Sequence, residues 1–145
     1  MASIHKEILT EARPEFVWDA LRDVGALHTR LVPGFVTGTH LEPGARIVTF
    51  HNGMVVREAI VTIDDLERRV VWSASGGTLV HHNGSAQVLP ERDGKSRVVW
   101  IADFLPDAAA PAIGAMMEEG MRVMKRALDG LADEARAEIP GCNRS

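Results

Sequence analysis

Polar and apolar positions alternate along the first segment of the chain, from Ser3 to Glu11. Ile4, Lys6, Ile8 and Thr10 fall on one side, and His5, Glu7, Leu9 and Glu11 on the other. A period of two predicts a short strand with one half-buried face. The period then lengthens. Arg13-Pro14-Glu15 opens a helix, because proline is tolerated at the first helical position and an acidic residue there complements the helix dipole. Phe16, Val17, Ala20, Leu21 and Val24 recur at helical spacing up to Gly25, and a polar connector with His28 and Pro33-Gly34 follows.

From Phe35 to Phe104 short runs rich in Val, Ile, Thr, Phe and Trp are interrupted by turn residues about every 8 to 12 positions, which predicts about six antiparallel strands. The turns are Glu42-Pro43-Gly44, Asn52-Gly53, Asp64-Asp65, Gly76-Gly77 and Arg92-Asp93-Gly94. Asn52-Gly53 suits a two-residue hairpin turn, in which both central residues take positive φ. With that turn, His51 faces Met54, Thr49 faces Val56 and Ile47 faces Glu58. The last segment, from about Asp107 to Ala137, carries Ile113, Met116, Met117, Gly120, Met121, Met124, Leu128 and Leu131 at three- and four-residue steps, a long amphipathic helix. Pro140-Gly141 ends it, and the tail to Ser145 frays.

One strand, one helix, a cluster of strands and one long helix make an α+β domain. At about 1.5 Å per residue the C-terminal helix spans on the order of 40 Å, enough to lie across the concave side of a curved sheet. The helix offers that sheet Ala115, Gly120 and the methionines at 116, 117, 121 and 124. Methionine fills irregular cores and also lines sites that accept varied ligands, so a solid core and a hollow one both fit. No repeat or linker divides the chain, which is expected to form a single domain over 1–145 with its structured core at about 3–137.

The 145 residues are 46% hydrophobic and 25% charged, the composition of a folded domain. A formal charge of -4 and a pI near 5.8 leave no basic footprint for a phosphate backbone, so nucleic acid is not an expected partner. Cys142 is the one cysteine, which excludes an intramolecular disulfide and a cysteine-built metal site and suits a reducing cytosol. No apolar run approaches the roughly 18 to 20 residues of a membrane span. The expectation is a cytoplasmic, unanchored protein.

Several segments together resemble one superfamily: Pro14-Glu15-Phe16-Val17-Trp18-Asp19-Ala20-Leu21-Arg22-Asp23-Val24-Gly25, then Glu58 to Asp65, Arg68-Arg69-Val70-Val71-Trp72-Ser73, Arg97-Val98-Val99-Trp100 and Asp103-Phe104. They look like the SRPBCC superfamily, and within it the polyketide cyclase/dehydrase-like branch, a relative of Bet v 1, the START lipid-transfer domains and the abscisic acid receptors. The resemblance covers roughly Ile4 to Ala135 and rests on hydrophobic patterns rather than catalytic signatures. It implies a helix-grip fold, a seven-stranded antiparallel sheet around the C-terminal helix with an apolar cavity between. It also implies that Val56, Ile60, Trp72, Ala74, Gly84, Ala86, Val88, Trp100, Ala102 and Phe104 face inward, and that Glu58 occupies the place of a receptor glutamate that reaches its ligand through water. The hairpin at His51 to Met54 replaces the receptors' longer gating loop, which argues against hormone-style gating.

Alternation independently places Glu58 with Val56 and Ile60, and an acid held among apolar groups favours its protonated form and can donate a proton. Pairing with Arg57 or Arg46 at a sheet edge is the competing reading. His51 falls by the cavity mouth, and His82 shares the inward parity of Gly84 and Ala86 while His81 points out. Glu58, His82 and His51 are therefore the candidate catalytic groups. Val56, Glu58, Ile60, Trp72, His82, Ala86, Trp100, Ala102, Phe104, Ile113, Met117, Met121 and Met124 are the candidate ligand contacts. No metal site is expected, because the adjacent His81 and His82 point to opposite faces, and no cofactor motif is present. Three functions compete: binding of a hydrophobic small molecule, cyclase or dehydratase chemistry in the same cavity, and a protein-interaction module like the branch that activates a heat-shock chaperone. Val99 and Ile101, outward on their strand, are a candidate homodimer contact.

Overall fold

The alternating first segment forms β1 (Ala2–Thr10), and its even-numbered residues are the less exposed ones. The computed structural model describes residues 2–76 and 79–137. The expectations for Gly77, for Pro140-Gly141 and for the tail lie outside the described residues. α1 (Pro14–Arg22) begins with proline at its first turn after an extended Arg13 and buries Val17, Trp18, Ala20 and Leu21. Phe16, grouped with that stripe by spacing, is exposed.

The stretch expected as a polar connector is instead partly helical: a 3₁₀ turn at Val24–Ala26 runs into a π turn at Leu27–Leu31. Its polar residues masked a four-residue apolar step, Leu27 to Leu31, that caps one end of the core. Gly25 lets the Leu41 side chain approach, since a Cβ on it would lie 2.7 Å from the Leu41 Cδ1.

Six strands follow: β2 (Val36–Glu42), β3 (Ala45–Phe50), β4 (Val55–Asp64), β5 (Arg69–Ser75), β6 (His81–Pro90) and β7 (Ser96–Leu105). With β1 they make one antiparallel seven-stranded sheet in the order β1-β7-β6-β5-β4-β3-β2. α2 (Ala110–Ala137) carries Pro111 in its first turn, where a missing N–H costs little. The residues expected as its start, 107–109, form a separate 3₁₀ turn. α2 packs against β1 and closes the core with Met121, Met124 and Leu128. A long helix gripped by a curved sheet is the helix-grip architecture. Among the described residues, no helix is long and apolar enough to cross a membrane.

One register differs from expectation, and it matters for the site. The β3–β4 turn is not the two-residue Asn52-Gly53 hairpin. Gly53 N–H donates to Phe50 O (2.9 Å), Phe50 N–H donates to Met54 O (2.9 Å), and Gly53 takes φ +86°. These bonds describe a turn over His51 and Asn52 followed by a left-handed glycine, a three-residue loop. The pairing consequently slips by one: Thr49 faces Val55, Val48 faces Val56, Ile47 faces Arg57 and Arg46 faces Glu58. Arg46, Val48 and Phe50 thereby become the inward set of β3.

Val99 and Ile101 are half-buried on the outer face of β7. Val99 lies between Glu7 of β1 and Gln87 of β6, and Ile101 between His5 and Ser85, so polar cross-strand neighbours flank both.

Candidate functional site

Two adjoining chambers lie between the concave face of the sheet and α2. The inner one encloses about 70 Å³, and the outer one, opening at the β3–β4 loop and the first turns of α2, about 560 Å³. Phe35, Phe50, Glu58, His82 and Met116 form the wall common to both. Glycine shapes this space at two points. Gly84 lies directly across from Trp72, and a Cβ there would sit 2.4 Å from the indole, so the ring lies flat over the β6 backbone. Gly120 on α2 admits the rings of Trp100 and Phe35, which a Cβ would meet at 3.0 and 3.1 Å. The Trp72 and Trp100 rings stand 6.4 Å apart at an interplanar angle of 52° in the inner chamber.

The four methionines divide. Met116 and Met124, in step with Gly120 at four-residue intervals, line the inner chamber, whereas Met117 and Met121 on the neighbouring stripe are buried in the packed core.

The polar groups of the cavity are few and buried. Arg46 Nε donates to Glu58 Oε1 at 2.8 Å, with both side chains almost wholly covered. Arg46 Nη1 also donates to Val24 O (3.3 Å), and the guanidinium lies 5.5 Å from the Trp72 ring centre. Glu58 is thus an ion-paired hydrogen-bond acceptor on the cavity wall and not the isolated acid expected from the sequence. His82, only 7% exposed, stacks on Phe104 with centroids 6.3 Å apart. Burial pushes its imidazole below the usual histidine range, against the opposing pull of the Glu58 charge, so His82 is neutral near pH 7. Its Nδ1 and the Trp100 Nε1 are buried without a hydrogen-bond partner among the described residues. At the mouth His51 Nε2 lies 3.1 Å from Glu119 Oε1, joining the β3–β4 loop to α2.

Among the residues singled out from the sequence, His51, Val56, Glu58, Trp72, His82, Ala86, Trp100, Ile113 and Met124 line one chamber or both. Ile60, Ala102, Phe104, Met117 and Met121 do not. Ala102, Phe104, Met117 and Met121 are packed in the core, and Ile60 is partly buried against it, beside a bulge in β4. Sequence reasoning missed Phe35, Phe50 and the cap of Leu27, Leu31 and Val32, named Met116 only as one of the four methionines that could line a hollow core, and left Arg46 as one alternative partner. The signal for Arg46 was its parity with Val48 and Phe50. Among the described residues, no group of three or more His, Cys, Asp or Glu side chains converges as a metal site would require.

A family model described as polyketide cyclase / dehydrase and lipid transport matches residues 1–136. The chain belongs to this family. Among solved structures similar to this member of the polyketide cyclase / dehydrase and lipid transport family is protein XoxI from Bacillus cereus. Its TM-score is 0.81 at 19% identity, covering 90% of this chain and 98% of that one. A START superfamily protein from Mycobacterium smegmatis follows at 0.70 and 12%, with 92% and 98% covered. Norcoclaurine synthase from Thalictrum flavum, in complex with dopamine and hydroxybenzaldehyde, gives 0.71 and 17%, with 92% and 87% covered. At such identities the likeness is one of fold. No curated protein matches the chain. Family and fold together support a hydrophobic ligand-binding or cyclase role.

Proposed function

We propose that this protein binds a hydrophobic small molecule in the outer chamber, within reach of Glu58 and His82 on the wall shared with the inner one. The supporting observation is a roomy outer chamber lined mostly by apolar side chains, with the buried Glu58 and His82 on its wall. Pockets of this make-up suit ligands bound by apolar area and oriented by a few hydrogen bonds. Mass spectrometry of the freshly purified protein, native and then denatured, tests the reading. A discrete small mass released on unfolding, or saturable uptake of the apolar dye Nile red, is the expected result. Neither being seen would overturn it.

A cyclase or dehydratase is the second reading, and neutral His82 favours it. An uncharged imidazole on the wall common to both chambers can relay a proton, while ion-paired Glu58 orients the reacting group. His51 stands farther out at the mouth. Recovery of a bound molecule chemically changed by the wild-type protein, and unchanged but still bound by His82→Gln, would favour catalysis over simple carriage.

A further inference from the structure

Five residues form the wall common to the two chambers, and four of them are held in place. Phe35 and Phe50 pack edge to face with ring centres 5.5 Å apart, and Phe35 is also seated against Gly120. Glu58 is bonded to Arg46, and His82 is stacked on Phe104. Met116 is the exception. It is only partly buried, it has no ring to stack and no N–H or O–H to anchor it, and an unbranched thioether changes shape at little cost. Its neighbours on the same helical row are small, Ala112 one turn before and Gly120 one turn after, so the side chain can swing without meeting a bulky residue of that row. The outer chamber, which Ala112 and Ala115 also line, has the volume to receive it.

What passes such a partition is slender. The inner chamber behind it encloses about 70 Å³, a little over twice the ~30 Å³ share of one water molecule, which is room for an arm of about two to four carbons and not for a ring system. Its walls suit an alkyl chain, because Leu27, Leu31, Trp72, Trp100 and Met124 are apolar and the charges of Arg46 and Glu58 are already paired with each other. We infer that Met116 is the movable partition between the chambers, and that the ligands using both have a compact body in the outer chamber and an unbranched alkyl arm that displaces Met116 to enter the inner one. Branched arms stay outside. This rests on the cavity-binding reading above.

Two probes sharing an adamantane body, which is too bulky for the inner chamber, test it on the full chain. They are 1-bromoadamantane and 1-(4-bromobutyl)adamantane, and their bromine quenches indole emission only on contact. Trp72 and Trp100 line the inner chamber, whereas among the described residues no tryptophan lines the outer one and Trp18 lines neither. Binding is followed by calorimetry, and tryptophan emission is compared at saturation, so that differences in affinity do not enter. With the wild-type protein the butyl probe is expected to remove most of the emission of Trp72 and Trp100, and 1-bromoadamantane to remove almost none. In Met116→Ile, whose β-branched side chain is stiff, quenching by the bound butyl probe is expected to fall to the level of 1-bromoadamantane. The volume-conserving Met116→Leu, which keeps helix propensity, is expected to move the same way. A butyl probe that binds without quenching, or equal quenching by both probes, overturns the inference and leaves cavity binding standing. Undiminished quenching in the Met116 variants overturns the assignment of the partition. If neither probe binds, the cavity-binding reading falls together with the inference.

Discussion

Arg46 and Glu58 are cross-strand neighbours on the inward face of β3 and β4, and their side chains meet at 2.8 Å inside the apolar core, against the ring of Trp72. A buried pair of this kind contributes little compared with an apolar pair of equal shape, but either member alone is costly, because the other is left as an uncompensated buried charge. Glu58→Leu and Arg46→Met are each expected to destabilise the fold by about 3–5 kcal/mol. The double variant is expected to be more stable than either single one. Urea unfolding of all four proteins gives the coupling directly. Strictly additive losses would show that the two charges do not depend on each other.

The inward parity of β4 and β6 was legible because a period of two survives any uncertainty about strand ends: Glu58 and His82 each sit between small or apolar residues two positions away. The partner of Glu58 was not, since it depends on whether the β3–β4 loop has two or three residues. Asn52-Gly53 suits both, and only the positive φ of Gly53 combined with helical-type turn geometry over His51 and Asn52 selects the longer loop. The split of Met116 and Met124 from Met117 and Met121 was equally hidden. Periodicity assigns all four to one broad apolar face, and which row meets empty space depends on how Trp100 and Phe35 seat against Gly120. The cap at Leu27 and Leu31 escaped notice because two apolar residues among His28, Thr29 and Arg30 carry almost no moment.

Gly84 sets the shape of the inner chamber through Trp72. Gly84→Ala places a methyl group where the indole now lies, at 2.4 Å, and the neighbour is a rigid ring packed over backbone. The variant is expected to lose about 1–3 kcal/mol from overpacking. Displacement of the ring is expected to shift tryptophan emission and weaken any ligand that reaches the inner chamber. Unchanged emission and unchanged stability would mean that Trp72 has room to move and that Gly84 does not shape the site.

Asp129 fastens α2 to the end of β1. Its carboxylate accepts from Thr10 Oγ1 (2.7 Å), the Glu11 N–H (3.0 Å) and Lys125 Nζ (2.9 Å). Partial burial pushes its carboxyl up, but these donors outweigh that and hold it below its ordinary value of 3.8. For a depressed carboxyl the stabilisation is present above the unfolded value and lost as pH falls through the folded one. Asp129→Asn is therefore expected to destabilise the protein at neutral pH by about 1 kcal/mol, a typical hydrogen-bond loss. The difference from wild type should shrink below about pH 4. Paired unfolding curves across that range check the sign.

His82 also weakens the fold on acidification, in a window nearer neutrality than that of Asp129. Its imidazole is buried and neutral, with burial lowering its proton affinity below the ordinary value of 6.5 and the Glu58 charge recovering only part of it. Between the folded value and 6.5 the unfolded chain binds the proton and the folded chain does not, so stability rises with pH across that window and is fully present above it. Other groups titrate in the same region, which makes the informative quantity a difference. The slope of unfolding free energy against pH just below 6.5 is expected to be steeper in wild type than in His82→Gln, with the two slopes converging above pH 7. Equal slopes would mean that His82 protonates in place. In that case the inner chamber tolerates a cation.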